Sequence, residues 1–507
     1  MKKYVSLIII CFMLPLVFGC QKDDEMRIIK IYNWVDYIDE DVLDEFVEYY
    51  KEQTGEVIGY VYDTFETNES MYNTVKTGKT DYDVICPSEY MIQRMIREDM
   101  LETFDLEQYD LDLYQKNASL YLQDLFKENC LTEYAACYMW GTLGLIYNPD
   151  ALEERAQGAE YDINTWNVMN NPLFEGIVSL KDSVRDAYCV GSLLAHQTEL
   201  NEIAAKYTTN SKEYQKAVQE IINRTTPDAI EKVSNELRNL KSNMYGFEVD
   251  SGKGDIVTGK IAMNVAWSGD AVYSMDLAEE TGVYLEYTIP REGGNVWFDG
   301  WVMPKGADKE LAQAFINFLS LPEIAARNME YIGYTSAIAG DAIFDLIEDW
   351  YGILSYESEI EELTLSKENK TPAEVQAIDE EINAIKEEME SITIVEEDLT
   401  YFFRGTLSED KLTDGKVLVR IDESYINRQF TTQYPSEERI SRCGVMQDFA
   451  EDNDEVLKMW INVKANKASG WLISSLVAVV VLAVGLVLYS KRSYFARMLR
   501  FRKYEKK

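Results

Sequence analysis

Alternation constrains this chain most. Short β-rich runs give way, one after another, to a loop and then to a stretch with helical spacing. Residues 26–32 form the first run, and the loop Asn33-Trp34-Val35-Asp36-Tyr37 follows. Val42, Leu43, Phe46, Tyr49 and Tyr50 then recur at helical intervals over residues 41–53, and Gly55 ends that helix. Residues 57–62 predict the next strand, Met71, Tyr72 and Val75 the next helix, and residues 82–86 a buried strand that stops at Pro87-Ser88. This order predicts an α/β architecture, a parallel or mixed sheet covered by helices. In such sheets ligands bind at the carboxyl ends of strands, where Asp36 and Ser88 stand.

The same grammar returns later. Residues 135–148 and 176–180 read as strands, the second leading into the polar stretch Lys181-Asp182-Ser183-Val184-Arg185-Asp186. Residues 261–267 open onto Ser268-Gly269-Asp270, and residues 296–303 carry Trp297-Phe298-Asp299. An amphipathic helix over 307–319 precedes the loop Tyr331-Ile332-Gly333-Tyr334. Tryptophan or tyrosine beside a carboxylate thus recurs at loop after loop. An aromatic face attracts a cation by ~0.5–2 kcal/mol, and a carboxylate adds a charge-assisted hydrogen bond. A cleft lined this way suits a flexible alkyl ammonium.

Charge points in the same direction. The 507 residues include 49 Lys and Arg against 89 Asp and Glu, a formal net charge of −40. Lys2, Lys3 and the tail 491–507, with eight basic residues and one acidic, hold much of the positive charge. Between them stand 39 basic and 88 acidic residues, a net of −49. So acidic a body repels phosphate backbones, which excludes nucleic acid as a partner. His196 is the only histidine, so a multi-histidine metal site is excluded. It lies among Leu193, Leu194 and Ala195 and reads as a helix residue.

The two ends place the body. Residues 1–20 have a short basic start, an apolar run over 5–18 and then Gly19-Cys20. This is the pattern of a signal peptide, with Cys20 placed as in a bacterial lipoprotein cleavage site and so expected to carry lipid. Residues 471–489 are uncharged and dominated by Leu, Val, Ala and Ile, and Lys491-Arg492 opens a basic tail. That predicts a transmembrane helix with residues 490–507 in the cytoplasm and the body tethered outside the plasma membrane. The five remaining cysteines, Cys86, Cys130, Cys137, Cys189 and Cys443, include no Cys-x-x-Cys pair and read as small core residues.

From Ile31-Tyr32-Asn33-Trp34-Val35-Asp36-Tyr37 onward the sequence resembles the bacterial spermidine/putrescine-binding proteins of polyamine ABC transporters. The likeness runs through Phe65-Glu66-Thr67-Asn68-Glu69, Asp81-Tyr82-Asp83-Val84-Ile85-Cys86-Pro87-Ser88 and Tyr138-Met139-Trp140-Gly141-Thr142. It continues at Ala266-Trp267-Ser268-Gly269, Pro290-Arg291-Glu292-Gly293-Gly294, Trp297-Phe298-Asp299 and Tyr331-Ile332-Gly333-Tyr334. It returns near Tyr434-Pro435-Ser436 and Val445-Met446-Gln447.

The resemblance implies a two-lobed, type II-like periplasmic-binding fold, to which the sequence adds an inserted helical hairpin and the transmembrane helix. The expected divisions are a first lobe over 27–140, a second over 141–295, a return to the first over 296–345 and a last part of the second over 431–466. It implies ligand contacts at Trp34, Asp36, Tyr37, Ser88, Tyr90, Asp186, Trp267, Asp270, Trp297, Asp299, Tyr334 and Gln447. Asp36 and Asp299 would hold one end of the amine, Asp186 and Asp270 the other. Ser183 stands where spermidine-binding relatives carry aspartate, and Asp270 where putrescine-binding relatives place a carboxylate, so putrescine is expected to bind at least as well as spermidine. The implied partners are a polyamine and the membrane permease of an importer. The alternative is a tethered sensor that presents the amine to a separate transducer. No enzyme activity, cofactor or metal is expected.

Residues 350–430 leave the family pattern. Val375, Ile378, Ile382, Ile385, Met389 and Ile392 are spaced 3, 4, 3, 4, 3, a coiled-coil-type seam, with Ile360 and Leu363 before it across a turn. An inserted helical hairpin is expected, serving either as a solvated arm or as an arm that docks a partner. Thr77-Gly78-Lys79-Thr80 imitates a phosphate loop, but Asn73 stands where the first glycine is required.

Overall fold

The computed structural model describes residues 26–78, 81–368 and 370–465. Cys20 and residues 471–489 lie outside them, and among the described residues no helix is long and apolar enough to cross a membrane.

Strands β1 (Ile28–Trp34), β2 (Gly59–Phe65), β3 (Val84–Ile85), β4 (Leu101–Glu102) and β5 (Ala135–Tyr147) come first in the chain. β6 (Val178–Lys181), β7 (Gly246–Glu248), β8 (Met263–Trp267), β9 (Glu286–Thr288), β10 (Val296–Pro304) and β11 (Thr335–Ser336) complete one continuous mixed sheet. Its order is β2-β1-β3-β10-β5-β8-β6-β7, with β4 on β10 and with β9 and β11 on β5. β1 runs parallel to β2 and β3, while β10 is antiparallel to β3 and β5. On the far side β6 is parallel to β7 and β8.

β5 makes two lobes out of one sheet. It is buried along all of its 13 residues. Its first half pairs with β10 and β11, its second half with β8 and β9. Trp140 belongs to the first core and Leu143 to the second. Strand alternation then sends Leu143, Leu145 and Tyr147 to the second core and Ile146 to the opposite face. The chain passes between cores again after Val445, with Met446, Phe449 and Trp460 on the second side.

In the helix Ser268–Glu279, Ala271, Met275 and Ala278, with Leu285 after it, are continuous with the first core. His196 caps the helix Val184–Ala195, buried, with Nδ1 3.0 Å from the Ser192 carbonyl oxygen. Four of the five cysteines are buried, Cys130 is exposed, and all five are free.

Residues 350–430 are only partly helical, contrary to expectation. The helices Leu354–Ser366 and Pro372–Ser391 form a hairpin whose second member starts from a capping box at Thr371 and Glu374. Ile382 and Ile385 are buried and Val375, Ile378, Met389 and Ile392 half-buried, with exposed residues between them. The chain then leaves helix. β12 (Ile394–Asp398) and β13 (Leu418–Asp422) pair antiparallel, and Phe402, Phe403, Val419 and Ile421 enter the first core. The β-branched run Ile392-Thr393-Ile394-Val395 favours strand over helix.

Candidate functional site

β10 carries the centre of the site. Trp297 and Asp299 are two apart and share a face, while Phe298 between them is buried in the first core. The pairing with β5 is irregular between Asp299 and Gly300, a bulge that re-aims side chains locally. Asp299 accepts from Tyr37 Oη at 2.7 Å and from Ser88 Oγ at 2.6 Å. Ser88 is itself set by Asn68: its Oγ accepts from Asn68 Nδ2 at 3.0 Å and its N–H donates to Asn68 Oδ1 at 3.1 Å. Tyr138 Oη donates to the Tyr37 carbonyl oxygen at 3.0 Å. Asp299 is 7% exposed and has no lysine or arginine within ion-pairing distance among the described residues. Burial pushes its carboxyl up to about 6, against the pull of the Ser88 and Tyr37 hydroxyls.

Aromatic rings surround this carboxylate. Trp34, the last residue of β1, lies 4.6 Å from the Phe65 ring centre, and its indole N–H has no partner. Tyr334 is 5.6 Å from Trp297 and meets Tyr37 edge-on at 5.9 Å. Two glycines make room. A Cβ on Gly141 would fall 2.5 Å from the Trp297 ring, and one on Gly269 would fall 2.1 Å from the Tyr334 ring.

Two further acids stand at helix starts, Asp186 on the second core's side and Asp270 on a helix packed into the first. Asp186 is buried in the first turn of Val184–Ala195, where Ser183 caps the helix by accepting from the Asp186 N–H at 3.3 Å. Burial raises the Asp186 carboxyl, with Ser183 and Trp267 pulling the other way. Asp270 is buried in the first turn of Ser268–Glu279, but its charge is already met. Lys181 Nζ donates to Oδ2 at 2.8 Å and Tyr334 Oη to Oδ1 at 2.9 Å.

Other expected contacts stand apart from this group. Asp36 is exposed, in the left-handed region at φ +53°, and directly precedes Tyr37, whose hydroxyl meets Asp299. Gln447 is exposed, and its backbone carbonyl accepts from Arg185 at 3.0 Å. Tyr90 is half-buried, with its hydroxyl donating to Glu69 at 3.1 Å and the Arg185 guanidinium 4.1 Å from its ring centre.

Sequence reading missed three charged residues here. Lys181 looked like the start of a polar loop, yet it is the buried last residue of β6. Glu89 is buried, 3.9 Å from Arg185, with Oε2 unpartnered. Burial pushes Glu89 up to about 8, so it is mostly protonated at neutral pH, with Arg185 opposing that shift and Asp299 adding to it. Arg185 joins the lobes by lying over Tyr90 and beside Glu89. No periodicity or motif marks any of the three. Among the described residues no cluster of His, Cys, Asp and Glu could hold a metal.

Comparison with known proteins gives the family. Residues 45–342 match the family described as bacterial extracellular solute-binding protein. The chain is 28% identical over 336 residues to the spermidine/putrescine-binding periplasmic protein of Escherichia coli (strain K12), covering 66% of this chain and 84% of that one. It is 29% identical over 376 residues to the putrescine-binding periplasmic protein SpuD of Pseudomonas aeruginosa (strain UCBPP-PA14), covering 72% and 93%. Its fold is similar to that of the spermidine/putrescine ABC transporter substrate-binding protein PotD from Streptococcus pneumoniae. There the TM-score is 0.54 and the identity 23%, over 86% of this chain and 98% of that one. Members of the matched family bind solutes and are not enzymes. With more than half of its length matched, the chain belongs to the bacterial extracellular solute-binding protein family.

Proposed function

We propose that this chain is the extracytoplasmic substrate-binding subunit of an ABC importer and captures a protonated polyamine, putrescine or spermidine, between its two lobes. One observation carries the reading: Asp299 is a buried carboxylate met by two hydroxyls and, among the described residues, by no cation. A buried charge left unpaired is costly, so the site gains most from a ligand that brings a positive nitrogen. Trp34, Trp297 and Tyr334 offer half-buried faces for the methylenes and ammonium of such a ligand. Tyr37, Ser88 and Asp186 complete the proposed lining, and Trp267 and Asp270 border it. The names of the Escherichia coli and Pseudomonas aeruginosa relatives support the same ligand class. Loaded protein would then dock on a membrane permease. Lipid on Cys20 and a helix over 471–489 would keep the body at the plasma membrane.

Calorimetry of the purified body against putrescine, spermidine, ornithine and glutamate tests the ligand class. The expected outcome is micromolar or tighter binding of at least one of the two polyamines and none of glutamate. Absence of heat with both polyamines would overturn the reading.

A further inference from the structure

Lys181 closes β6, Glu248 closes β7 and Trp267 closes β8, so three neighbouring parallel strands deliver a cation, an anion and an indole to one spot. Lys181 Nζ is 2.8 Å from Asp270 Oδ2, 3.5 Å from Glu248 Oε1 and 4.7 Å from the Trp267 ring centre. It also donates to the Val249 carbonyl oxygen at 3.3 Å. The lysine side chain is 2% exposed. Glu248 is held in turn by the Gly252 N–H at 2.9 Å and by Asn264 Nδ2 at 3.4 Å.

Two carboxylates, a carbonyl and an aromatic face are the groups that recognise a primary alkylammonium, and here the chain supplies the alkylammonium itself. Burial works against charge on Lys181, but Asp270 and Glu248 outweigh it and hold the ammonium above its ordinary range. The cradle adjoins the cleft. Tyr334 donates to Asp270, and its ring meets Tyr37, whose hydroxyl donates to Asp299.

We propose that Lys181 is a built-in ammonium that fills one amine subsite of the cleft and restricts the ligand to two charged nitrogens, held by Asp299 and Asp186. This inference rests on the polyamine reading above and deepens it. Asp270 and Trp267 are then spent on the protein's own lysine. A triamine entering the native cleft finds Asp270 already taken, so Lys181 sets selectivity for a diamine.

Two arms test it. In the first, putrescine and spermidine are titrated into wild type and Lys181→Met, a neutral change of similar length. Wild type is expected to favour putrescine, and the variant to shift at least tenfold towards spermidine. In the second, Lys181→Ala is melted with and without n-propylammonium chloride, with sodium chloride at equal ionic strength as control. The small amine replaces the missing tip and is expected to raise the melting temperature of the variant but not of wild type. If Lys181→Ala does not fold, the Lys181→Ala, Glu248→Gln double variant has one buried charge fewer and carries the same arm. Rescue by propylammonium in a protein that binds no polyamine would keep the cradle and discard the ligand reading. Polyamine binding with an unchanged preference in Lys181→Met, and no rescue of the alanine variant, would overturn the cradle and keep the ligand reading.

Discussion

Asp299 and Asp270 are both buried acids in one cleft, and both accept a tyrosine hydroxyl. Asp270 also accepts from the Lys181 ammonium, whereas Asp299 accepts only from neutral hydroxyls. One carboxylate is thus paired within the fold, and the other meets no cation among the described residues. Sequence position does not separate them, because each follows a tryptophan by two or three residues, Asp299 within a strand and Asp270 just after one. What separates them is whether a neighbouring strand ends in lysine.

The comparison breaks most readily at Asp270. Asp270→Asn leaves a buried ammonium with Glu248 alone, and breaking a buried ion pair costs about 3–5 kcal/mol. Denaturant unfolding of the ligand-free variant should show a loss on that scale. A variant as stable as wild type would mean that the Lys181 pair contributes no stability.

Asp299→Asn should do the opposite to the fold and more to the ligand. The carboxyl sits near 6 in the folded protein and near 4 in the unfolded chain, so the folded state binds the proton more tightly. Ligand-free stability therefore falls as pH rises from about 4 through about 6. The ionised, buried group costs up to about 3 kcal/mol above that window. Removing the charge should recover part of that cost at pH 7 while weakening polyamine binding by about 2–3 kcal/mol, the worth of a hydrogen bond to a charged group. Destabilisation together with intact binding would reverse the assignment of the two acids.

Acid should imitate that substitution. An ammonium selects the ionised carboxylate, so affinity should be level above pH ~6 and fall about tenfold, ~1.4 kcal/mol, for each pH unit below. Calorimetry from pH 8 to pH 5 reads this directly. A profile flat to pH 5 would place the binding charge elsewhere.

The smallest effect belongs to Glu89. Burial keeps it mostly protonated at neutral pH, so Glu89→Gln replaces one neutral group by another of the same size. Stability and polyamine affinity should each change by less than about 0.5 kcal/mol. A large loss of binding would show that Glu89 is charged in the complex and that Asp299 shares its work.

Several features were readable along the chain. Strand and helix alternation over 26–86 follows from side-chain period, and the left-handed cap at Gly55 from a residue that tolerates positive φ. The Val375-to-Ile392 spacing and its partial burial in Pro372–Ser391 rest on the same local geometry. Trp297 and Asp299 share a face because they lie two apart in a strand. Each of these depends on residues within a turn or two of one another.

Other features exist only after folding. Lys181 reads as polar loop until β7 and β8 bring Glu248 and Trp267 beside it from 67 and 86 positions downstream. Glu89 carries no mark in the sequence, and only the fold buries it beside Arg185 of the other lobe. The sequence by itself determined which segments become strands and helices, and that the body is acidic and rich in aromatics near carboxylates. Tertiary structure decided which acid keeps an unmet charge, because in a buried site that depends on the distance to the nearest cation, and strand order sets that distance.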